Sequence, residues 1–471
     1  MGCMKMGVDY HRPELGINIP ESFQHASKKV ALVWPEDRWW HVFGDSELNN
    51  IVEEALRNNL DIKKATARIL EVRAQFIQTR AGRFPHVDLQ GQVQRQRQTV
   101  DVLVPTVQGI VQQERRKTID SHTLSLPASF ELDLWGRLAR SQEAARADLL
   151  QVEENRRTVT QGVVAETINL YLQMEALERR IQITERSIEN YRQSLALVKS
   201  RYERGLTSVL ELRQARRTLA RAEATLPNLR QELGITQQRL AVLLGRYPRT
   251  SPPRPQPEDY YKRLSPIPSG LPSDLLLRRP DIRAAEARLR ALNARVGEAE
   301  AGRFPRITLT GRFGYSSEEL DRLLRPQSEL WNLALGLVQP LFDAGKLKAG
   351  QRAAEARYEQ GVAEYARTIL NAFSEVERAL LTRKEQLERR ERVLNFLMEA
   401  RATQRIAEGR YKRGLVDYLS VLEAQQTRFQ AEDNLVQIDL AILTNRVSLH
   451  RSLGGGWAEP KPVGPKEVSQ F

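Results

Sequence analysis

The chain states its plan twice. Ala81-Gly82-Arg83-Phe84-Pro85 returns as Ala301-Gly302-Arg303-Phe304-Pro305, and Arg201-Tyr202-Glu203-Arg204-Gly205-Leu206 returns as Arg410-Tyr411-Lys412-Arg413-Gly414-Leu415. A period of about two hundred residues is too long for a solenoid unit, so it marks two structurally equivalent halves. The first phrases lie 220 residues apart and the second 209. Gly136 and Gly345 are already 209 apart, so the first half carries 11 extra residues between Pro85 and Gly136, in the stretch around 99–120. Insertions are tolerated in exposed loops, which makes that stretch the expected tip of a hairpin.

Each half can be read segment by segment. Residues 1–45 hold Pro13, Pro20 and Pro35 and read as an extended arm. The first repeat covers 46–244. Asp45 or Ser46 is placed to N-cap a helix running to about residue 80, and Phe84-Pro85 stops it. From His86 the period changes to two: Val87, Leu89, Gly91 and Val93 fall on one face, with Asp88, Gln90, Gln92 and Gln94 on the other. The same alternation gives strands at about 86–98, 121–134, 306–316 and 331–341, which form two hairpins with one apolar and one polar face each.

Residues 136–202 and 345–411 contain no proline and carry apolar residues at spacings of three and four, as in Tyr365, Ile369, Phe373, Val376 and Leu380. Each is a helix of 67 residues, about 100 Å at 1.5 Å per residue. Shorter helices are expected at 208–244 and 419–453, with the Gly205 and Gly414 phrases as the reversals. A proline-rich connector takes 245–280, with Pro280 opening a helix. The second repeat covers 281–453, and 454–471 reads as a flexible tail.

Four amphipathic strands limit what this chain can be. No run of 18 apolar residues exists, so no helix is expected to cross a membrane; a spanning β-barrel leaves only weak alternating segments. A sheet whose apolar face meets lipid must close to pair its backbone groups. Four strands cannot enclose an open interior, but three chains supply twelve, within the known even strand numbers. The expected fold is mainly α with a membrane β-barrel. It is a trimeric hollow cylinder whose 12-stranded barrel continues into a tube of long antiparallel coiled-coil helices. A polar lumen fits a composition with 28% charged and only 6% aromatic residues. The net charge of +13 arises from Arg interleaved with Glu and Gln, which reads as solvated helix faces rather than a nucleic-acid surface.

At this point the chain resembles the TolC-type outer-membrane factors, most closely the lipidated branch with OprM- and NodT-like proteins. Asp9-Tyr10-His11-Arg12-Pro13, Trp40, Phe43-Gly44-Asp45 and Leu48 carry the likeness first. Leu271-Pro272-Ser273-Asp274-Leu275-Leu276, Arg278-Arg279-Pro280-Asp281-Ile282-Arg283, Gln339-Pro340-Leu341-Phe342-Asp343-Ala344-Gly345 and Leu453-Gly454-Gly455-Gly456-Trp457 continue it in order. The resemblance implies a homotrimeric exit duct in the outer membrane of a Gram-negative bacterium. It would serve a tripartite efflux pump, passively conducting drugs or other small molecules. It implies a periplasmic adaptor, an inner-membrane transporter and outer-membrane lipid as partners, and no enzymatic activity.

Three groups of residues follow as candidates. Cys3 is the only cysteine, so no internal disulfide forms, and Met1-Gly2-Cys3 has the small residue that precedes an acylated lipoprotein cysteine. The resemblance makes Cys3 the site of a covalent lipid anchor, where the other reading is an incidental exposed thiol. The reversals Gly205-Leu206-Thr207 and Gly414-Leu415-Val416 are expected to contact the adaptor; the alternative is a plain helical turn. Asp417, Leu419 and Glu423 are the expected periplasmic gate, Leu419 and Glu423 sharing a face at i and i+4. Three copies would set a leucine ring and an acidic ring across the mouth. Glu423 stands where the OprM-like pattern has aspartate, and Gln426 where it has arginine, so the resemblance does not extend to a closing salt bridge there. The alternative reading of the three is ordinary solvated helix residues.

Nothing in the sequence points to catalysis, a metal or a cofactor. The 6 histidines lack metal-ligand spacing, and there is neither a glycine-rich phosphate loop nor a nucleophile elbow. Protein secretion and metal-ion efflux remain alternative cargo classes. A non-membrane coiled-coil structural protein and a basic nucleic-acid binder are the alternatives outside the channel class.

Overall fold

Helices of matched length follow the repeated phrases. The computed structural model describes residues 5–18, 20, 23–25, 38–106, 109–254, 261 and 277–455. Cys3, most of the expected connector and the expected tail beyond 455 lie outside the described residues. Helices α2 (Leu60–Ala81) and α5 (Pro280–Ala301) have 22 residues each, and α3 (Arg137–Glu203) and α6 (Lys346–Lys412) have 67. The return helices α4 (Val209–Leu243) and α7 (Tyr418–Ser452) have 35 each.

The single helix expected from 46 to 80 is two helices. Asp45 caps α1 (Ser46–Asn58) by accepting from the Glu47 and Leu48 amides. Asn59 then ends α1 and caps α2, its Oδ1 accepting from Asp61 at 2.9 Å and Ile62 at 3.1 Å while its Nδ2 donates to the Leu243 carbonyl. An asparagine suits this double task because its short amide satisfies orphan backbone donors.

One antiparallel sheet contains β1 (His86–Val87), β2 (Gln90–Thr106), β3 (Gly109–Leu132), β4 (Arg306–Ser317) and β5 (Glu329–Val338). β1 and β2 both pair with β3, β3 with β4, and β4 with β5. The strand expected from 86 is therefore split, at Asp88-Leu89. Opposite the gap stands Pro127, which accepts from the Asp88 amide at 3.0 Å but has no N–H to give back. The insertion is the larger correction. Residues 99–106 and 109–120 are paired strand, not loop, with the ladder unbroken from Gln90↔Ser125 to Thr106↔Gly109. The extra residues lengthen both strands of the first hairpin, in line with the β-branched Val100, Val102, Val104, Ile110 and Val111 among them. β5 stops at Val338, short of the expected 341, two residues before Pro340.

The chain divides into two units, each assembled from three stretches of sequence. Unit 1 comprises Met1–Glu14, Ile69–Gln151 and Glu286–Glu364 and contains the sheet. At its foot Trp135 stacks on Phe304 at 4.9 Å and donates to the Pro305 carbonyl. The N-terminal arm is fastened here. The buried Arg140 donates to the Met6 and Gly7 carbonyls and pairs with Asp9 at 2.9 Å, and Met6 donates to the Trp135 carbonyl. Farther along the arm, Arg12 pairs with Glu286 at 2.7 Å. Unit 2 comprises Leu15–Arg68, Val152–Ala285 and Tyr365–Phe471. Its core includes Trp39, Trp40, Phe43, Leu48, Ile168, Tyr171, Leu172 and Val447.

Candidate functional site

Two surfaces have the chemistry a duct needs, one in each unit. In unit 1 the strand register sorts side chains by face, because directly paired residues lie on the same side of an antiparallel sheet. Leu126, Phe313 and Trp331 form one row; Phe130, Leu309 and Leu335 form another; Leu132, Ile307 and Leu337 a third. The opposite face carries Ser129, Thr310 and Ala334, then Glu131, Thr308 and Gly336. The apolar face is uncovered: Trp331 is 73% exposed and Leu335 68%. Such a contiguous apolar patch in water would be an association or membrane surface.

On the first hairpin the same apolar face runs through Val87, Gly91 and Val93, then turns polar at Arg95, which pairs with Asp120 across the ladder at 3.3 Å. The apolar band therefore has an upper edge, and the lengthened hairpin continues past it.

In unit 2 the two reversals meet the same backbone requirement. Gly205 and Gly414 adopt φ of +73° and +75°. Each closes a Schellman turn: Leu206 and Leu415 donate to the Arg201 and Arg410 carbonyls, and the two glycines to Tyr202 and Tyr411. Both leucines are left in the open, Leu206 at 63% and Leu415 at 60% exposure. Thr207 bonds Glu211, and Val416 packs on the adjacent core. Ser208 caps α4 by accepting from Glu211, and Asp417 caps α7 by accepting from the Ser420 amide and hydroxyl. Those bonds from Ser420 hold the Asp417 carboxyl below its ordinary range. Asp417 is thus engaged in ending a helix.

Leu419 and Glu423 lie on the exposed stripe of α7, together with Gln426, Gln430 and Gln437, while Tyr418, Val421, Leu422 and Gln425 point inward. The structure brings the two expected gate side chains onto one open face.

Sequence reasoning missed the contacts that join the two reversals. Arg201 donates to the Tyr411 carbonyl at 2.9 Å and lies over its ring at 4.7 Å. The Tyr411 hydroxyl donates to Glu211 at 3.4 Å, and its ring leans on Tyr418 at 5.7 Å. Burial and the Glu211 carboxylate raise the Tyr411 pKa, and burial with neighbouring Tyr411 raises that of Tyr418, so both stay neutral hydroxyls. The repeat hid the difference between the two turns. Tyr202 and Tyr411 are matched, yet Tyr202 is 41% exposed and Tyr411 4%. Below the latch a buried polar layer continues, Gln425 bridging Ser194 at 3.0 Å and Glu408 at 2.9 Å.

No cluster of three metal-ligating side chains occurs among the described residues, and none of their helices is long and apolar enough to cross a membrane.

An uncovered apolar sheet face followed by a charged rim, in a mainly helical chain, is the pattern of a membrane β-protein. The likeness to known proteins is specific. The family model for outer membrane efflux proteins matches residues 51–246 and 271–455, and the chain belongs to that family. It is 34% identical over 455 residues to the pyoverdine export outer membrane protein OpmQ of Pseudomonas putida, covering 96% of this chain and 95% of that one. It is 32% identical over 458 residues to the cation efflux system protein CusC of Escherichia coli, covering 97% and 96%. Among solved structures, the outer-membrane channel OprN superposes with a TM-score of 0.85 at 30% identity, covering 96% of this chain and 99% of OprN.

Proposed function

We propose that this chain is one of three identical subunits of an outer-membrane exit duct serving a tripartite efflux pump. One observation carries the reading: the register gathers the apolar side chains of the hairpins on one uncovered face and the polar ones on the other. Lipid on the first face and water on the second is the arrangement of a membrane barrel wall. Three copies give twelve strands, and the two halves of each chain supply equivalent hairpins and helices to barrel and tube. The duct is passive and needs no cofactor beyond the lipid proposed on Cys3. The reversals at Gly205-Leu206-Thr207 and Gly414-Leu415-Val416 present bare leucines to the periplasmic adaptor. OpmQ is named for pyoverdine and CusC for cations, so relatives of this chain serve different cargo and the transporter makes the first selection. With only 5 methionines and 6 histidines in this chain, small organic molecules are the favoured cargo.

Leu419 and Glu423 form the constriction at the periplasmic mouth, and the Arg201–Tyr411–Glu211 latch holds it narrow. The test is reconstitution in planar bilayers. Discrete conductance is expected from the wild type, larger steps from Leu419→Ala and Glu423→Gln. A protein that stays trimeric and soluble without detergent, and conducts nothing, overturns the duct. Equal steps in both variants remove these residues from the gate.

A further inference from the structure

On the polar face of the sheet, Arg312 has no opposite charge beside it among the described residues. Arg312 lies in the middle of β4, a strand with partners on both sides, so its neighbours on that face are all visible. Pro127 and Asn332 stand directly opposite. One step along the same face are Thr310 and Gly314 on β4, Ser125 and Ser129 on β3, and Leu330 and Ala334 on β5. None is acidic. Arg312 is exposed and makes no ion pair or side-chain hydrogen bond among the described residues.

Other charges of this face are placed differently. Asp88, in the same row on the far side of Pro127, faces His86 at 3.0 Å. Glu131, four residues along β3 from Pro127 and about 14 Å away, is held by Arg137, whose Nη2 donates to its two carboxylate oxygens at 2.9 and 2.8 Å. Lys117 pairs with Glu318 at 3.9 Å. Arg306 sits at the foot of β4, outside the band. β2 contributes only amides for five successive positions: Gln90, Gln92, Gln94, Gln96 and Gln98 share the polar face, with Gln94 donating to Gln96 at 3.0 Å. The immediate neighbours of Arg312 are therefore neutral, and it stands level with the apolar rows of Gly311 and Phe313 on the other side.

We propose that Arg312 is the specificity-determining residue of the exit section, and that it favours cargo bearing a carboxylate or another anionic group. The inference rests on the duct reading, in which the polar face lines the lumen. An ionised side chain at membrane depth is costly to hold and marks a solute pathway. Three copies of Arg312 form a cationic ring, the arrangement found in anion-conducting pores.

The experiment measures reversal potentials in a KCl gradient across planar bilayers, with Glu423→Gln as the parent so that the mouth is neutral. The parent is expected to prefer chloride. Arg312→Gln lowers the chloride-to-potassium permeability ratio by about threefold or more, Arg312→Glu inverts it, and Arg312→Lys keeps it. In the parent itself, raising KCl from about 0.1 M to about 1 M shortens the screening length from about 10 Å to 3 Å and weakens the preference. A ratio unchanged in Arg312→Gln, or a parent preference indifferent to salt, overturns the proposal while leaving the duct intact. Absence of conductance from the wild type overturns the duct reading instead.

Discussion

Helices α4 and α7 have the same length and enter from the same kind of turn, yet they live in different surroundings. Of 35 residues each, 8 are buried in α4 and 19 in α7. The ion pairs of α4 reach α3: Arg192–Glu223, Arg230–Glu185 and Arg239–Glu166. Those of α7 reach both long helices. Asp433 pairs with Arg180 of α3, Asp439 with Arg390 of α6, and Glu432 with Arg401 of α6. A helix with neighbours on two sides must bury charge, and it does so only where each neighbour returns the opposite sign. α4 keeps one open side, with Ile235 and Val242 about half exposed or more, a surface that a second copy would cover in the proposed trimer.

The sharpest way to break this comparison is to remove one carboxylate from α7 and its matched residue from α4. Asp439 is 2% exposed and holds Arg390 at 2.6 Å and Arg179 at 3.7 Å. Asp439→Ala takes the carboxylate from Arg390, leaves Arg179 with Glu175, and is expected to cost about 3 kcal/mol in thermal unfolding of the detergent-solubilised protein. The residue 209 positions earlier is Arg230, whose pair with Glu185 is half exposed. Arg230→Ala is expected to cost about 1 kcal/mol or less. Equal losses would mean that α4 is as enclosed as α7.

A second test uses pH. His450 stacks on Trp39 at 4.8 Å, and neither ring nitrogen has a hydrogen-bond partner. Burial first, then Arg446 and Arg383, push its pKa down to about 3. An unfolded histidine titrates near 6.5. Below that pH the unfolded chain binds a proton the folded chain refuses, so stability falls as pH drops from about 6.5 toward 3. Relative to His450→Phe, which keeps the stack, the wild type is expected to lose about 2 kcal/mol between pH 7.5 and pH 5. Parallel stability curves for the two proteins would contradict the buried, neutral imidazole.

The smallest expected effect is at the reversals. Tyr411→Phe removes one long hydrogen bond to Glu211 and is expected to cost about 1 kcal/mol or less. It nonetheless raises single-channel conductance by loosening the latch. Tyr202→Phe, at the matched and exposed position, leaves conductance unchanged. A Tyr202 effect as large as that of Tyr411 would erase the distinction between the reversals.

Much of the architecture was legible because its signals are local. The doubled phrases, the change from period 3.6 to period two and the glycines at 205 and 414 are read along the chain. What escaped depends on partners far away in sequence. Pro127 splits a strand it does not belong to, and Asn59 divides a helix by facing in both directions. The insertion looked like a loop because excess length usually is one, whereas its residues pair across the hairpin, Val104 opposite Val111 among them. The burial of α7 is hidden because Glu432, Asp439, Arg446 and His450 read as a solvated face until Arg390 and Arg401 are set beside it. Even the proline contrast needed the structure. Pro227 lies on the exposed side of α4, where a lost hydrogen bond is met by water, while the matched Val436 is buried. For the candidate site, the shared face of Leu419 and Glu423 was readable from spacing, and the latch joining the reversals was not.

The fastening of the N-terminal arm by Arg140 sets a leash. Met6 is held against Trp135 at the foot of the sheet, and three steps of chain separate it from Cys3. Fully extended, they span no more than about 11 Å. In the proposed duct, an acyl chain on Cys3 would be tethered within that reach of the foot of its own sheet and could not range over the surrounding membrane.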